Sequence, residues 1–179
     1  MNTFVETDRF FLREILEKDV EGLFALDSDP EVHRYLGEHP VKNRQQVEEI
    51  IAYVRRQYEV NGIGRWAIID KKSHEFVGWT GLKYEEEVRK EAPYYDLGYR
   101  LRREFWGRGI ATETALASLE YGFRQMKLKK ICAAAHVDNI GSNRVLSKVG
   151  MQLLSPFEFE GEMHNWYELD KSDWEKMRK

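Results

Sequence analysis

The chain has 179 residues, 42% hydrophobic and 33% charged, with 28 Lys plus Arg against 31 Asp plus Glu and a formal net charge of -3. That describes a globular chain long enough to bury its own core, and it argues against a nucleic-acid surface spread over the whole protein. A single cysteine, Cys132, excludes a disulfide framework and a cysteine-rich zinc site, so no metal is expected.

The start, Met1-Asn2-Thr3-Phe4-Val5-Glu6, turns polar at once, and no apolar run is long enough to span a bilayer. The expected setting is therefore the cytoplasm, with neither membrane nor DNA as a partner. No linker, repeat or low-complexity stretch interrupts the chain, and residues 1–179 are expected to form one domain.

The first strand is expected over Arg9 to Glu14, where Phe10 and Leu12 alternate with polar neighbours. A helix follows from about Lys18 to Asp27. Asp29-Pro30 then caps and opens a short helix reaching about Leu36. Asn43 and Gln46 have capping-box spacing, Val47, Ile50, Ile51, Val54 and Tyr58 recur at helical spacing, and Asn61-Gly62 supplies the stop. Three strand-like runs come next, Arg65–Asp70, Glu75–Tyr84 and Tyr94–Leu101. The turn between the first two is too short for a helical crossover, so an antiparallel meander is expected. A charged loop, Glu85 to Glu91, precedes the third run.

After Leu101 the pattern changes. A basic, glycine-bearing stretch, Arg102 to Gly109, leads into a helix over Ile110 to Met126. A strand at Lys129–His136, a helix at Gly141–Val149 stopped by Gly150, and strands at Gln152–Ser155 and Met163–Leu169 follow. Ser172 and Glu175 are spaced to cap a last short helix. The sum is an α+β protein: a mostly antiparallel half joined to one β-helix-β unit.

The junction Arg102-Arg103-Glu104-Phe105-Trp106-Gly107-Arg108-Gly109-Ile110-Ala111-Thr112 carries the chemistry. The first amides of a helix have no internal partners, and glycines let a ligand approach the main chain. Together they suit an anion such as a pyrophosphate. The residues alone favour an ordinary strand-to-helix connection that happens to hold two glycines. A P-loop is absent, and Thr112 stands where a dinucleotide fingerprint needs its third small residue. Asn139-Ile140-Gly141-Ser142-Asn143 opens the next helix directly after a strand, where Asn139 or Ser142 serves as a cap or reaches a ligand.

Together the two segments resemble the GNAT superfamily of N-acetyltransferases. Trp106-Gly107-x-Gly109-x-Ala111-Thr112-Glu113 is similar to its acetyl-CoA-binding motif, and Asn139-x-x-Ser142-Asn143 with Lys148-x-Gly150-Met151 to the next one. Thr7-Asp8-Arg9-Phe10-Phe11-Leu12-Arg13 and Asp96-Leu97-Gly98-Tyr99 resemble the RimJ/RimL-like branch, in which a homodimer is common. The sequence departs from the motif at Glu104, where Gln or Arg is usual.

The resemblance implies a GNAT-like, mostly antiparallel sheet with a splayed parallel strand pair and flanking helices. It implies acetyl-CoA as co-substrate, held by Leu101, Arg102, Arg103, Trp106, Gly107, Arg108, Gly109, Ile110, Ala111, Thr112, Asn139, Ser142 and Asn143. The acetyl group would pass directly to an amine: a protein N-terminus, a polyamine, an antibiotic or an amino acid. Ser142 is the expected proton donor to the departing sulfur. Asp96, and after it His136, is the expected base, because amines are protonated near neutrality. Two readings of other classes stand beside this one. One is a non-catalytic acyl-CoA-binding module on the same fold, and the other a nucleotide- or RNA-associated domain built on the arginine cluster. Cys132, in the apolar run Ile131-Cys132-Ala133-Ala134-Ala135, is expected to be a buried, inert thiol.

Overall fold

The computed structural model describes residues 3–37, 39–89 and 91–178. Residues 1–2 of the polar start and residue 90 of the charged loop lie outside the described residues. The strands are β1 (Thr3–Glu6), β2 (Phe10–Glu14), β3 (Trp66–Asp70), β4 (Phe76–Glu85), β5 (Tyr94–Leu101), β6 (Lys130–His136), β7 (Gln152–Leu153), β8 (Phe157–Phe159) and β9 (Glu162–Asp170). The helices are α1 (Val20–Asp27), α2 (Pro30–His33), α3 (Arg44–Asn61), α4 (Ile110–Arg124), α5 (Ile140–Lys148) and α6 (Lys171–Lys176).

The nine strands form one sheet in the order β1-β2-β3-β4-β5-β6-β9-β7, with β8 also on β9. Among the described residues all pairings are antiparallel except β5 with β6. This is the expected α+β arrangement, with a single parallel pair set into an antiparallel sheet.

Both faces of the sheet are covered. Ile15, Leu23, Leu26, Val47, Ile51, Val54, Ala67, Ile69 and Phe76 pack α1 and α3 onto one face. Leu82, Leu97, Ala115, Leu119, Phe123, Ile131, Leu169 and Trp174 pack α4 and α6 onto the other. Apolar residues at helical spacing in α3 and α4 therefore meet alternating apolar residues in the strands.

Local signals explain most boundaries. The Asn43 side chain accepts from the Gln46 amide at 3.0 Å, and Gly62 closes α3 with φ 69°. Gln46 reaches back not to Asn43 but to the Lys42 amide, at 2.7 Å. Asp29 caps α2 through the Glu31 amide at 2.9 Å, but the helix ends at His33 rather than Leu36.

Two strands were not foreseen, and one cap needs correction. β1 and β8 are short edge-side strands whose existence depends on a partner rather than on their own periodicity. The cap of α6 is Asp170, and Ser172 lies inside the helix.

The feature that makes a site is the parallel pair. β5 and β6 are in register at one place, Asp96 opposite Cys132. β4 follows β5 along its whole length on the other side. Beyond Asp96 the β5 edge facing β6 is therefore open, and the two strands part like a V.

Candidate active site

A cavity of about 970 Å³ occupies that V. Its wall combines Tyr94 and Asp96–Leu101 of β5, the end of β6 at Ala134–His136, the start of α4, and one side of α5 along its length. Alternation along β5 sends Asp96, Gly98 and Arg100 to one face of the sheet, and Leu97, Tyr99 and Leu101 to the other.

The start of α4 is an open anion cradle. Gly107 and Gly109 have φ of 71° and 72°, a left-handed conformation that other residues adopt only at a cost. Gly109 is the N-cap, and no side chain caps the helix. The Glu113 amide makes the first intrahelical bond, to the Gly109 carbonyl at 3.1 Å. The amides of Ile110, Ala111 and Thr112 precede that bond, and all three residues line the cavity.

The arginine cluster does not face this cradle as expected. Arg102 donates to the Phe76 carbonyl at 2.9 Å and pairs with Glu104 at 2.5 Å. Arg103 pairs with Asp29 at 3.2 Å, and the Arg108 guanidinium lies over the Phe105 ring. None of the three lines the cavity. The cationic groups in its wall at α5 are instead Arg144 and Lys148, one turn apart on one helix face. Neither has a carboxylate partner among the described residues. Their i,i+4 spacing after the Asn139 segment is the signal that identifies them. Leu101, Trp106, Gly107 and Gly109 are in the wall, and the Trp106 indole donates to the Leu101 carbonyl at 2.9 Å.

Asn139 caps α5 by accepting from the Ser142 amide at 3.1 Å. Ser142 is thereby free of capping duty, and its hydroxyl lies 3.1 Å from the Tyr99 hydroxyl. The Tyr99 hydroxyl also donates to the Ser142 carbonyl, at 3.0 Å. Burial pushes the Tyr99 hydroxyl's pKa up, and the bond to Ser142 offsets this only in part. Tyr99 is the functional candidate that sequence reasoning missed, since an aromatic in a strand looks like core.

Asn143 is not in the cavity wall. Its amide donates to the carbonyls of His136 (2.9 Å) and Asn139 (2.7 Å), and its oxygen accepts from Asn165 (2.8 Å) and Tyr167 (2.7 Å). It ties α5 to the end of β6 and the middle of β9, which departs from the ligand contact expected of it.

His136 lines the cavity, but both ring nitrogens are engaged. Nδ1 accepts from the Asp138 amide at 3.1 Å, which leaves Nε2 to carry the proton toward Glu162 at 2.6 Å. No lone pair is left for a substrate proton, so the geometry disfavours His136 as a base.

Asp96 is held by Arg65, whose guanidinium also donates to the carbonyls of Gly81 (2.6 Å) and Asp96 (2.8 Å). Gly98 makes room for it: a Cβ there would lie 2.6 Å from the Arg65 Nη2. Burial raises the Asp96 carboxyl above its ordinary value, and the Arg65 charge offsets that only in part.

Cys132 is buried on β6, and burial pushes its thiol up to about 12. The native protein is therefore expected to resist iodoacetamide at pH 8 and to react once denatured. Cys132→Ala should keep its turnover. Rapid labelling of the native thiol, read by intact mass, would contradict this.

An open helix N-terminus, two basic side chains on the next helix without a carboxylate partner among the described residues, and a parted parallel strand pair make a site suited to an extended ligand with a phosphate end. Known proteins place that class. The model of the family described as acetyltransferase (GNAT) domain matches residues 9–152. The uncharacterized N-acetyltransferase YoaA of Bacillus subtilis (strain 168) is 34% identical over 156 residues, 85% of this chain and 84% of its own. Among solved structures, spermidine N-acetyltransferase from Vibrio cholerae, in complex with CoA and spermine, has a TM-score of 0.74 at 17% identity, over 94% of this chain and 99% of its own. The ribosomal L7/L12 alpha-N-protein acetyltransferase RimL, in complex with coenzyme A, has a TM-score of 0.78 at 19% identity, over 94% of this chain and 98% of its own. The chain belongs to the GNAT acetyltransferase family. Acetyl-CoA as co-substrate agrees with that membership, and the open amides of α4 fit its pyrophosphate. Among the described residues no helix is long and apolar enough to cross a membrane.

Proposed function

We propose that this protein is an acetyl-CoA-dependent N-acetyltransferase that moves an acetyl group directly to a primary amine in the cytoplasm. The reading is carried by one coincidence within a single cavity: an uncapped helix N-terminus, a parted strand edge and the Tyr99–Ser142 hydroxyl pair.

Acetyl-CoA supplies the acetyl group as an activated thioester. The amides of Ile110 to Thr112 hold its diphosphate, and Arg144 and Lys148 add charge beside it. The open edge of β5 offers main chain to an extended arm, as a sheet edge does to an added strand. Asp96 accepts a proton from the incoming ammonium, directly or through a water, because a protonated amine has no lone pair to attack with. The ammonium loses two protons in all as the C–N bond forms and the C–S bond breaks. One leaves to solvent by way of Asp96, and one ends on the sulfur. Tyr99 delivers the latter and is resupplied through Ser142.

The two solved relatives act on different amines, so the fold does not select the acceptor. Protein N-termini, polyamines, antibiotic amines and amino acids are the classes to test. Thiol release from acetyl-CoA should appear with at least one class, and CoA should raise the melting temperature. Stabilisation by CoA without turnover on any amine would support a non-catalytic acyl-CoA-binding module. No stabilisation at saturating CoA would overturn the assignment.

A further inference from the structure

The Thr7–Arg13 segment carries part of the family likeness, yet nothing in the reaction above uses it. Its placement shows a task. Arg9 sits at the turn between β1 and β2, where the Thr7 amide donates to the Phe10 carbonyl (2.9 Å) and the Phe10 amide to the Thr7 hydroxyl (3.0 Å). The Lys71 amide donates to the Arg9 carbonyl at 2.9 Å, so the end of β3 also holds this turn. From this fixed base the guanidinium reaches the glycine loop. Nη1 donates to the Arg108 carbonyl at 3.0 Å, and Nε pairs with Glu113 at 2.6 Å. The Arg9 amide reaches the same carboxylate at 3.3 Å.

Both contacts bear on the cradle. Arg108 lies between two glycines with positive φ, a stretch that has many alternative conformations available. Fixing its carbonyl fixes the peptide plane that carries the Gly109 amide, at the entry to α4. Glu113 lies in the first turn of α4, and its charge suits the helix dipole but repels an incoming anion. Burial would raise the Glu113 carboxyl, but its contacts with Thr7 and Arg9 outweigh this and keep it ionised near neutrality.

We infer that Arg9 is a positioning residue for the anion cradle: by clamping the Arg108 carbonyl and covering the Glu113 carboxylate, it keeps the loop amides turned to the cavity and the phosphate site free of repulsion. This rests on the acetyl-CoA reading above. The Arg9 side chain is 45% exposed, so its loss should leave the fold intact.

The test measures CoA binding by titration calorimetry, and separately kcat, KM and melting temperature. Arg9→Ala should weaken CoA binding and raise KM for acetyl-CoA by about tenfold, with kcat at saturation within about twofold. Arg9→Lys keeps the charge but has no fork to hold both partners, and should fall between. Adding Glu113→Gln to Arg9→Ala should recover about threefold of the lost affinity, because the repulsion goes while the clamp stays broken. CoA binding by Arg9→Ala as tight as by the unaltered protein would overturn the inference and leave the acetyltransferase reading standing. So would a fall in kcat and melting temperature together with unchanged affinity. Failure of the unaltered protein to bind CoA would remove both.

Discussion

Tyr99→Phe is expected to lower kcat by about 100-fold to 1,000-fold while leaving CoA affinity within about threefold. The substitution removes one hydroxyl and keeps the ring, so the packing of β5 against α5 survives. The cost in stability is about 1 kcal/mol, that of the bond to the Ser142 carbonyl. Burial keeps the hydroxyl protonated across the working pH range, ready to donate to a departing sulfur. Ser142→Ala should lower kcat less, by about tenfold, because Tyr99 keeps its anchor on the Ser142 carbonyl. An unchanged kcat in Tyr99→Phe would place the donor elsewhere. A larger loss in Ser142→Ala than in Tyr99→Phe would return the donor role to the serine, as the motif alone suggests. Steady-state kinetics with saturating acetyl-CoA separates these outcomes, and calorimetry with CoA confirms that binding is retained.

Legibility followed the range of the interaction. The cradle was readable because its parts are neighbours in the chain: two glycines, then a helix start with no capping side chain. The meander and the β5–α4–β6 unit were readable from connection lengths. The orientation of long side chains was not. Arg102 and Arg103 look like phosphate ligands beside the loop, but carboxylates or carbonyls on other elements hold them elsewhere. Asn143 looks like a ligand contact until β9 brings Asn165 and Tyr167 onto it. The partner of Asp96 was hidden for the same reason, since Arg65 precedes β3 and reaches β5 across β4. Local chemistry announces that a site exists. Tertiary pairing decides which of the nearby charges serve it.

That pairing determines what Asp96 can do, and Asp96→Asn tests it. The substitution should lower kcat by about 100-fold and remove the Asp96 carboxyl's limb from the acidic side of the pH–rate profile. The sign follows from the protonation state the reaction needs. A base works when unprotonated, so activity should rise as pH climbs through the carboxyl's pKa. Burial places that pKa above the ordinary carboxylate value, and the limb should sit correspondingly high. In Asp96→Asn the carboxyl's limb is gone, and activity rises instead with the amine's own ionisation, near about 8 for an α-amino group. Arg65 loses its ion pair but keeps the Gly81 and Asp96 carbonyls, so the protein should fold with a loss of about 2 kcal/mol. Arg65→Met provides the contrast. It leaves the carboxylate in place but unpaired, which raises its pKa further and should move the acidic limb upward rather than remove it. An Asp96→Asn profile that keeps the unaltered protein's limb at the same pH, with stability reduced as expected, would make the ion pair purely structural and transfer the proton to solvent without Asp96.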